Sequence, residues 1–205
     1  MIEDVAELRN QIRACRICSD HPEGQPLPHE PRPVAVLSDK ATIRIIGQAP
    51  GVRVHASGKP FTDPSGDRLR GWMGIDEATF YDGDKISITP MGFCFPGLDE
   101  KGGDLPPRKE CNKAWQKRVT KAMPQVQLVL LIGMYAQKAY LGKRSARTLT
   151  ETVCNWKDYL TIEDGLQYIV LPHPSWRNNA WIRKHPFFTN DLLPFLKKKI
   201  QDILV

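Results

Sequence analysis

Four short apolar runs, Ile43 to Ile46, Ile86 to Ile88, Leu128 to Ile132 and Tyr168 to Leu171, are each followed at once by turn-forming or polar residues. Runs of this length suit strands rather than helices. Helical patterns fill the intervals, around Asp67 to Met73, Arg108 to Met123 and Tyr135 to Leu141, with a second stretch near Leu149 to Trp156 and a closing helix over Asp191 to Leu204. Before the first run, Val5, Leu8 and Ile12 stand at helical spacing in Glu3 to Ala14, and a proline-rich connection follows from His21 to Pro33. Strands alternating with helices imply a parallel sheet covered on both faces. The expected fold is therefore α/β, a three-layer α/β/α arrangement around a central four-stranded, mainly parallel sheet. With 205 residues, 41% of them hydrophobic, one core is expected, and residues 1–205 read as a single domain.

Ligands of open parallel sheets bind beyond the carboxyl ends of the strands. The first strand runs into Gly47-Gln48-Ala49-Pro50-Gly51, the second into Thr89-Pro90-Met91-Gly92-Phe93-Cys94, and the fourth into His173-Pro174-Ser175-Trp176-Arg177-Asn178. The third leads into Gly133-Met134-Tyr135, which says less. The chain carries 29 Lys and Arg against 23 Asp and Glu, a net charge of +6, which suits a polyanionic partner such as nucleic acid. No stretch approaches the roughly 18 apolar residues of a membrane span. The charged start, MIEDVAELRNQIRAC, does not read as a signal peptide. The expectation is an intracellular, cytoplasmic monomer with no membrane partner.

In a reducing compartment, five cysteines with one close pair point to metal or cluster binding rather than disulfides. Cys15 and Cys18 form a C-x2-C pair, and Cys94 and Cys111 flank a loop rich in Gly and Pro ahead of a helix. Four thiolates suit either zinc or an iron-sulfur cluster, and spacing alone does not choose between them. Cys154, beside Trp156 in a helical pattern, reads as a core cysteine.

Taken together, these residues resemble the iron-sulfur branch of the uracil-DNA glycosylase superfamily, its families four and five. There a C-x2-C pair precedes the first strand, and a third and fourth cysteine follow the second strand, divided by a proline-containing loop. Cys15, Cys18, Cys94 and Cys111 fit that arrangement, so the resemblance implies a 4Fe-4S cluster, with zinc as the less favoured alternative. Gly47 to Gly51 is similar to the G-E-A-P-G of family four, with Gln48 in place of the acid. Gly58 to Asp67 resembles the G-R-x-F-T-G-D-x-S-G-D of family five with one residue fewer between Thr62 and Ser65, which makes Phe61 the aromatic that stacks on an extruded base. His173-Pro174-Ser175 matches the superfamily's H-P-S, and the Arg177-Asn178 continuation is similar to the single-strand-selective monofunctional branch. Family four reads uracil with an asparagine just before its third cysteine, whereas this chain has Thr89-Pro90-Met91. Uracil is thus the favoured base, with hypoxanthine or xanthine as competitors.

The resemblance implies a monofunctional DNA glycosylase acting in base excision repair on DNA that holds a damaged or deaminated base. Such an enzyme breaks a carbon-nitrogen bond through a transition state with a cationic sugar and an anionic base, so electrostatics should dominate. His173 is positioned to donate a hydrogen bond to the developing anion. Asp63 is the candidate for orienting the water, although Asp63-Pro64-Ser65-Gly66 is also a common turn and helix cap. Gln48 can orient water or touch the base edge but accepts no proton as a general base. The nucleotide must be flipped or taken single-stranded, with Phe61 stacking on it and Gly47, Ala49, Pro50, Gly51 and Thr89 forming the rest of the substrate wall. Glycine at positions 47 and 51 permits close backbone approach. Ser175, Trp176, Arg177 and Asn178 are expected to contact DNA and fill the vacated space, with Arg183 and Lys184 near phosphates. A nucleic-acid-binding module that has lost catalysis, suggested by Gln48 and Pro90, and a zinc-stabilised nucleotide hydrolase remain as alternatives.

Overall fold

A computed structural model describes residues 3–160 and 166–205. In chain order its elements are α1 (Val5–Arg13), α2 (Ile17–Asp20), β1 (Ile43–Ile46), α3 (Val52–Ser57), α4 (Pro64–Met73), α5 (Glu77–Tyr81), β2 (Ile86–Ile88), α6 (Lys109–Ala122), β3 (Leu128–Ile132), α7 (Met134–Leu141), α8 (Leu149–Cys154), β4 (Gln167–Leu171), α9 (Asn179–Lys184) and α10 (Leu193–Leu204). The strands form one sheet in the order β2-β1-β3-β4, every neighbouring pair parallel. An antiparallel bridge from Val36 to Ile88 adds to the β2 edge. β1, β2 and β3 are buried along their whole lengths, so β3 reads as an unbroken apolar run, while β1 and β2 each enclose one buried polar residue, Arg44 and Ser87. Helices α1 and α2 pack on α6, while α10 packs on α4. The expected α/β architecture is the observed one. No helix among the described residues is long and apolar enough to cross a membrane.

The long elements lie where the hydrophobic period put them. The helices α2, α3, α5 and α9, with 4, 6, 5 and 6 residues, are too short for a period to show. The stretch near Leu149 to Trp156 divides: a Thr148/Glu151 capping box starts α8, which ends at Cys154, and a tighter turn spans Trp156–Tyr159. Cys154 is consequently exposed rather than in the core, and Thr152, Val153 and Trp156 take the buried positions instead.

Arg44, in the middle of β1, is only 2% exposed. Its Nε donates to Thr89 Oγ1 at 2.6 Å, Nη1 to Thr120 Oγ1 at 2.8 Å, and Nη2 to Gln116 Oε1 and the Tyr140 hydroxyl, both at 2.9 Å. Burial pushes the guanidinium pKa down, and the Tyr140 side chain opposes that shift. These bonds tie the sheet to α6 and α7 through neutral acceptors, satisfying a cation that would otherwise be costly to bury.

Candidate active site

The loops leaving β1 and β2 are bonded to each other: the Met91 amide donates to the Gly47 carbonyl at 2.9 Å and the Gly92 amide to the Gln48 carbonyl at 3.0 Å. Beyond them lies a cavity of about 90 Å³ whose walls include Gly47, Gln48, Ala49, Pro50, Gly51, Phe61, Asp63, Pro90, Asp104 and His173. A wider groove of about 900 Å³ is lined by Arg53, Arg68, Asp99, Pro174, Ser175, Trp176, Arg177 and Asn178, among others. Gln48, Asp63, Ser65, Asp104 and His173 belong to both, so they form the threshold between the small pocket and the wide groove.

Phe61 has φ 55°, the sole non-glycine in the left-handed region among the described residues, and such a conformation in a bulky residue is strained. Three features hold it. The Tyr81 hydroxyl lies 2.9 Å from the Pro60 carbonyl and 3.0 Å from the Phe61 carbonyl, the Phe61 ring sits edge-on to Phe80 at 5.9 Å, and the Phe61 carbonyl presses on Gly66. Lys59 Nζ covers the outer face of the Tyr81 ring at 3.6 Å.

Asp63 takes the helix-capping role and stands at the pocket as well. It is the N-cap of α4, with Oδ1 accepting from the Ser65 amide (3.2 Å), the Gly66 amide (3.3 Å) and the Ser65 hydroxyl (2.5 Å), and it also lines the pocket. All three bonds land on Oδ1, so Oδ2 has no donor among the described residues. His173 follows β4, and its carbonyl accepts from Asn178 Nδ2 at 2.6 Å. Burial lowers the imidazole pKa below its ordinary value; the nearby Asp63 and Asp104 carboxylates pull it up, and Arg177 adds to the lowering. The ring is therefore neutral at pH 7. Arg68 braces the same turn, donating to the Ser175 carbonyl at 3.0 Å and to Asn179 Oδ1 at 2.7 Å.

The sequence profile of the Uracil DNA glycosylase superfamily matches residues 34–197. The chain belongs to that superfamily. Its members are DNA glycosylases, hydrolases that act on DNA. The match takes in all four strands, the pocket and the His173 turn, but it begins after Cys15 and Cys18.

Set against the superfamily assignment, most of the anticipated residues come together, and some do not. Thr89 does not line the pocket. It is fully buried, and its hydroxyl accepts from Arg44 on the helix α6 side of the sheet. Asn178 reaches the groove but commits its amide to the His173 backbone. Trp176 is 73% exposed and Arg177 is also exposed, both on the groove. Arg183 and Lys184, on α9, are not among the groove residues; Arg53 and Arg68 supply cations there instead. The residue that the sequence did not single out is Asp104. In sequence it is one acid among several in the loop from Cys94 to Cys111, marked only by the Gly102-Gly103 before it and the Leu105-Pro106-Pro107 after it.

The four cysteines of interest gather where α2 meets α6. Cys18 and Cys111 perturb each other's protonation, and Cys94 lies in the field of Cys15 and Cys18. The Phe93 amide donates to Cys111 Sγ and the Trp115 indole to Cys15 Sγ, each at 3.3 Å. Burial pushes the Cys94 thiol up to about 12. Among the described residues no group of three or more His, Cys, Asp or Glu is arranged to hold a metal ion. The N–H groups at Cys15 and Cys111 are of the kind that hydrogen-bond cluster and metal thiolates.

Proposed function

We propose that this chain is a monofunctional DNA base glycosylase that flips a deaminated nucleotide into the pocket and hydrolyses its N-glycosidic bond, with uracil as the preferred base. The observation that carries the reading is the threshold: a neutral imidazole and a carboxylate with a free oxygen stand together where a small pocket meets a wider groove that carries Arg53, Arg68 and Arg177. The base occupies the pocket against Phe61, and the strand lies in the groove along Arg53, Arg68 and Arg177. Trp176 fills the gap left in the stack. His173 donates to the base as it becomes an anion, and Asp63 Oδ2 faces the positive charge on the sugar. Gln48 Nε2 donates to the Leu105 carbonyl at 3.4 Å, leaving its oxygen as an acceptor for the base edge. The preference for uracil rests on the resemblance of Gly47 to Gly51 and of His173 to Ser175 to the superfamily's motifs.

The test is single-turnover base release from labelled oligonucleotides carrying uracil, hypoxanthine or xanthine, single- and double-stranded. Release of uracil well ahead of the purines supports this reading. DNA binding with no release of any base would instead make the chain a binding module.

The same reading gives Cys15, Cys18, Cys94 and Cys111 a 4Fe-4S cluster. A cluster is gripped at its periphery by thiolates spread around a body several atoms wide, a requirement different from the tight convergence of a zinc site. Bound there, it would fix both ends of the loop that runs from Cys94 to Cys111, with Asp104 near its tip. The purified protein is expected to be brown and to contain iron and acid-labile sulfide, while Cys18→Ser loses both and unfolds at lower temperature. Stoichiometric zinc without iron would reject the cluster.

A further inference from the structure

Asp104 lies on the threshold between pocket and groove, and its carboxylate accepts no hydrogen bond from any described residue. The tip of its loop is nevertheless well fixed. Leu98 and Asp104 form an antiparallel bridge, the Asp99 amide donates to the Gly103 carbonyl at 2.8 Å, and Asp99 Oδ1 takes the Lys101 and Gly103 amides at 2.9 and 2.8 Å. Gln48 grips the neighbouring Leu105 carbonyl. Across the threshold, a methyl group placed on Gly51 would stand 3.4 Å from Asp104 Oδ2, so the carboxylate rests close against the loop that leaves β1. Asp63 differs in that its Oδ1 is committed to three capping bonds. Gln48 takes up no proton.

We infer that Asp104 is the general base of the reaction, taking a proton from the water that attacks the sugar at C1′ from the groove side. The inference rests on the glycosylase reading above. In the step, the water oxygen bonds to C1′ as one of its protons passes to Asp104. The C1′–N bond breaks, and its electron pair leaves with the base, whose anion is held by His173. Asp104 then gives its proton up to solvent, the base anion takes one from solvent, and the products are the free base and an abasic sugar. Partial burial raises the Asp104 pKa above the ordinary aspartate value. His173 and Arg177 oppose that rise, and Asp63 and Asp99 reinforce it. Arg53 and Arg68 complete the charged groups of the adjoining groove. A raised pKa makes the carboxylate a stronger base.

The experiment compares Asp104→Asn and Gly51→Ala with the wild-type protein, by single-turnover excision across pH and by DNA affinity. Asp104→Asn is expected to slow excision by about 10²–10³-fold, to bind DNA as tightly as wild type or tighter because a negative charge has left the groove, and to lose the acidic limb of the rate profile. Gly51→Ala, which sets a methyl in ordinary contact with the carboxylate, is expected to show at most a small loss with the limb retained. An Asp104→Asn protein within threefold of wild type and with the same limb overturns the assignment while the glycosylase reading stands. A wild-type protein that releases no base overturns both.

Discussion

His173→Ala is expected to reduce the single-turnover rate of base excision by about 10²–10³-fold, the usual cost of removing one preorganised donor to a developing anion. Affinity for DNA should change little, since the imidazole stands at the pocket threshold, whereas the exposed cations line the groove. Burial holds the ring neutral at pH 7, and a neutral imidazole still has one N–H to give. The Asn178 bond to the His173 carbonyl at 2.6 Å survives the substitution because it uses the backbone, so the turn should keep its shape. A second readout comes from stability. A histidine whose folded pKa lies below its unfolded value of 6.5 contributes stability that is fully present above pH 6.5 and is lost as pH falls through the folded pKa, because the unfolded chain binds the proton first. Urea titrations at pH 7 and pH 5 should therefore show a smaller acid loss in His173→Ala than in wild type. An alanine variant that excises within fivefold of wild type would remove His173 from the chemistry.

The parts of this site that were legible in the sequence are those fixed by strand ends. Gly47 to Gly51 and His173 follow short runs rich in buried aliphatic residues, and a parallel sheet carries whatever follows its strands to one edge. Thr89 also follows a strand, yet it misses the pocket. Its position is two after Ser87, which is the register partner of Arg44, and alternate residues of a strand share a face. The side chain thus turns toward Arg44. Asp104 was illegible for a different reason: a loop has no period, and its place depends on where both ends are pinned. Here the ends are Cys94 and Cys111, and the tip folds back through the Gln48 to Leu105 contact. Cys154 shows the limit of periodicity within a helix of 6 residues, where one position decides between core and solvent.

Gly66→Ala is expected to lower stability by about 3–5 kcal/mol, above the ordinary range for overpacking, and to abolish excision in whatever fraction remains folded. An added Cβ at position 66 would lie 1.9 Å from the Phe61 carbonyl oxygen and 2.8 Å from its carbon, a backbone clash that no side-chain rotation relieves. Neither partner has room to retreat. The Phe61 carbonyl is held by the Tyr81 hydroxyl at 3.0 Å with φ already at 55°. Gly66 is locked into the first turn of α4 by its amide, which donates to the Asp63 carbonyl at 2.9 Å and also contacts Asp63 Oδ1. Relief must move either Phe61 or Asp63, both of which line the pocket. Gly71→Ala, in the same helix with nothing within 4 Å of the new methyl, provides the contrast: better helix propensity should stabilise the protein by about 0.5–1 kcal/mol with activity unchanged. Chemical unfolding of the two variants, paired with single-turnover rates, separates a general intolerance of α4 to substitution from the specific contact between Gly66 and Phe61. If Gly66→Ala were as stable and as active as Gly71→Ala, the strained Phe61 backbone would not be what shapes the pocket.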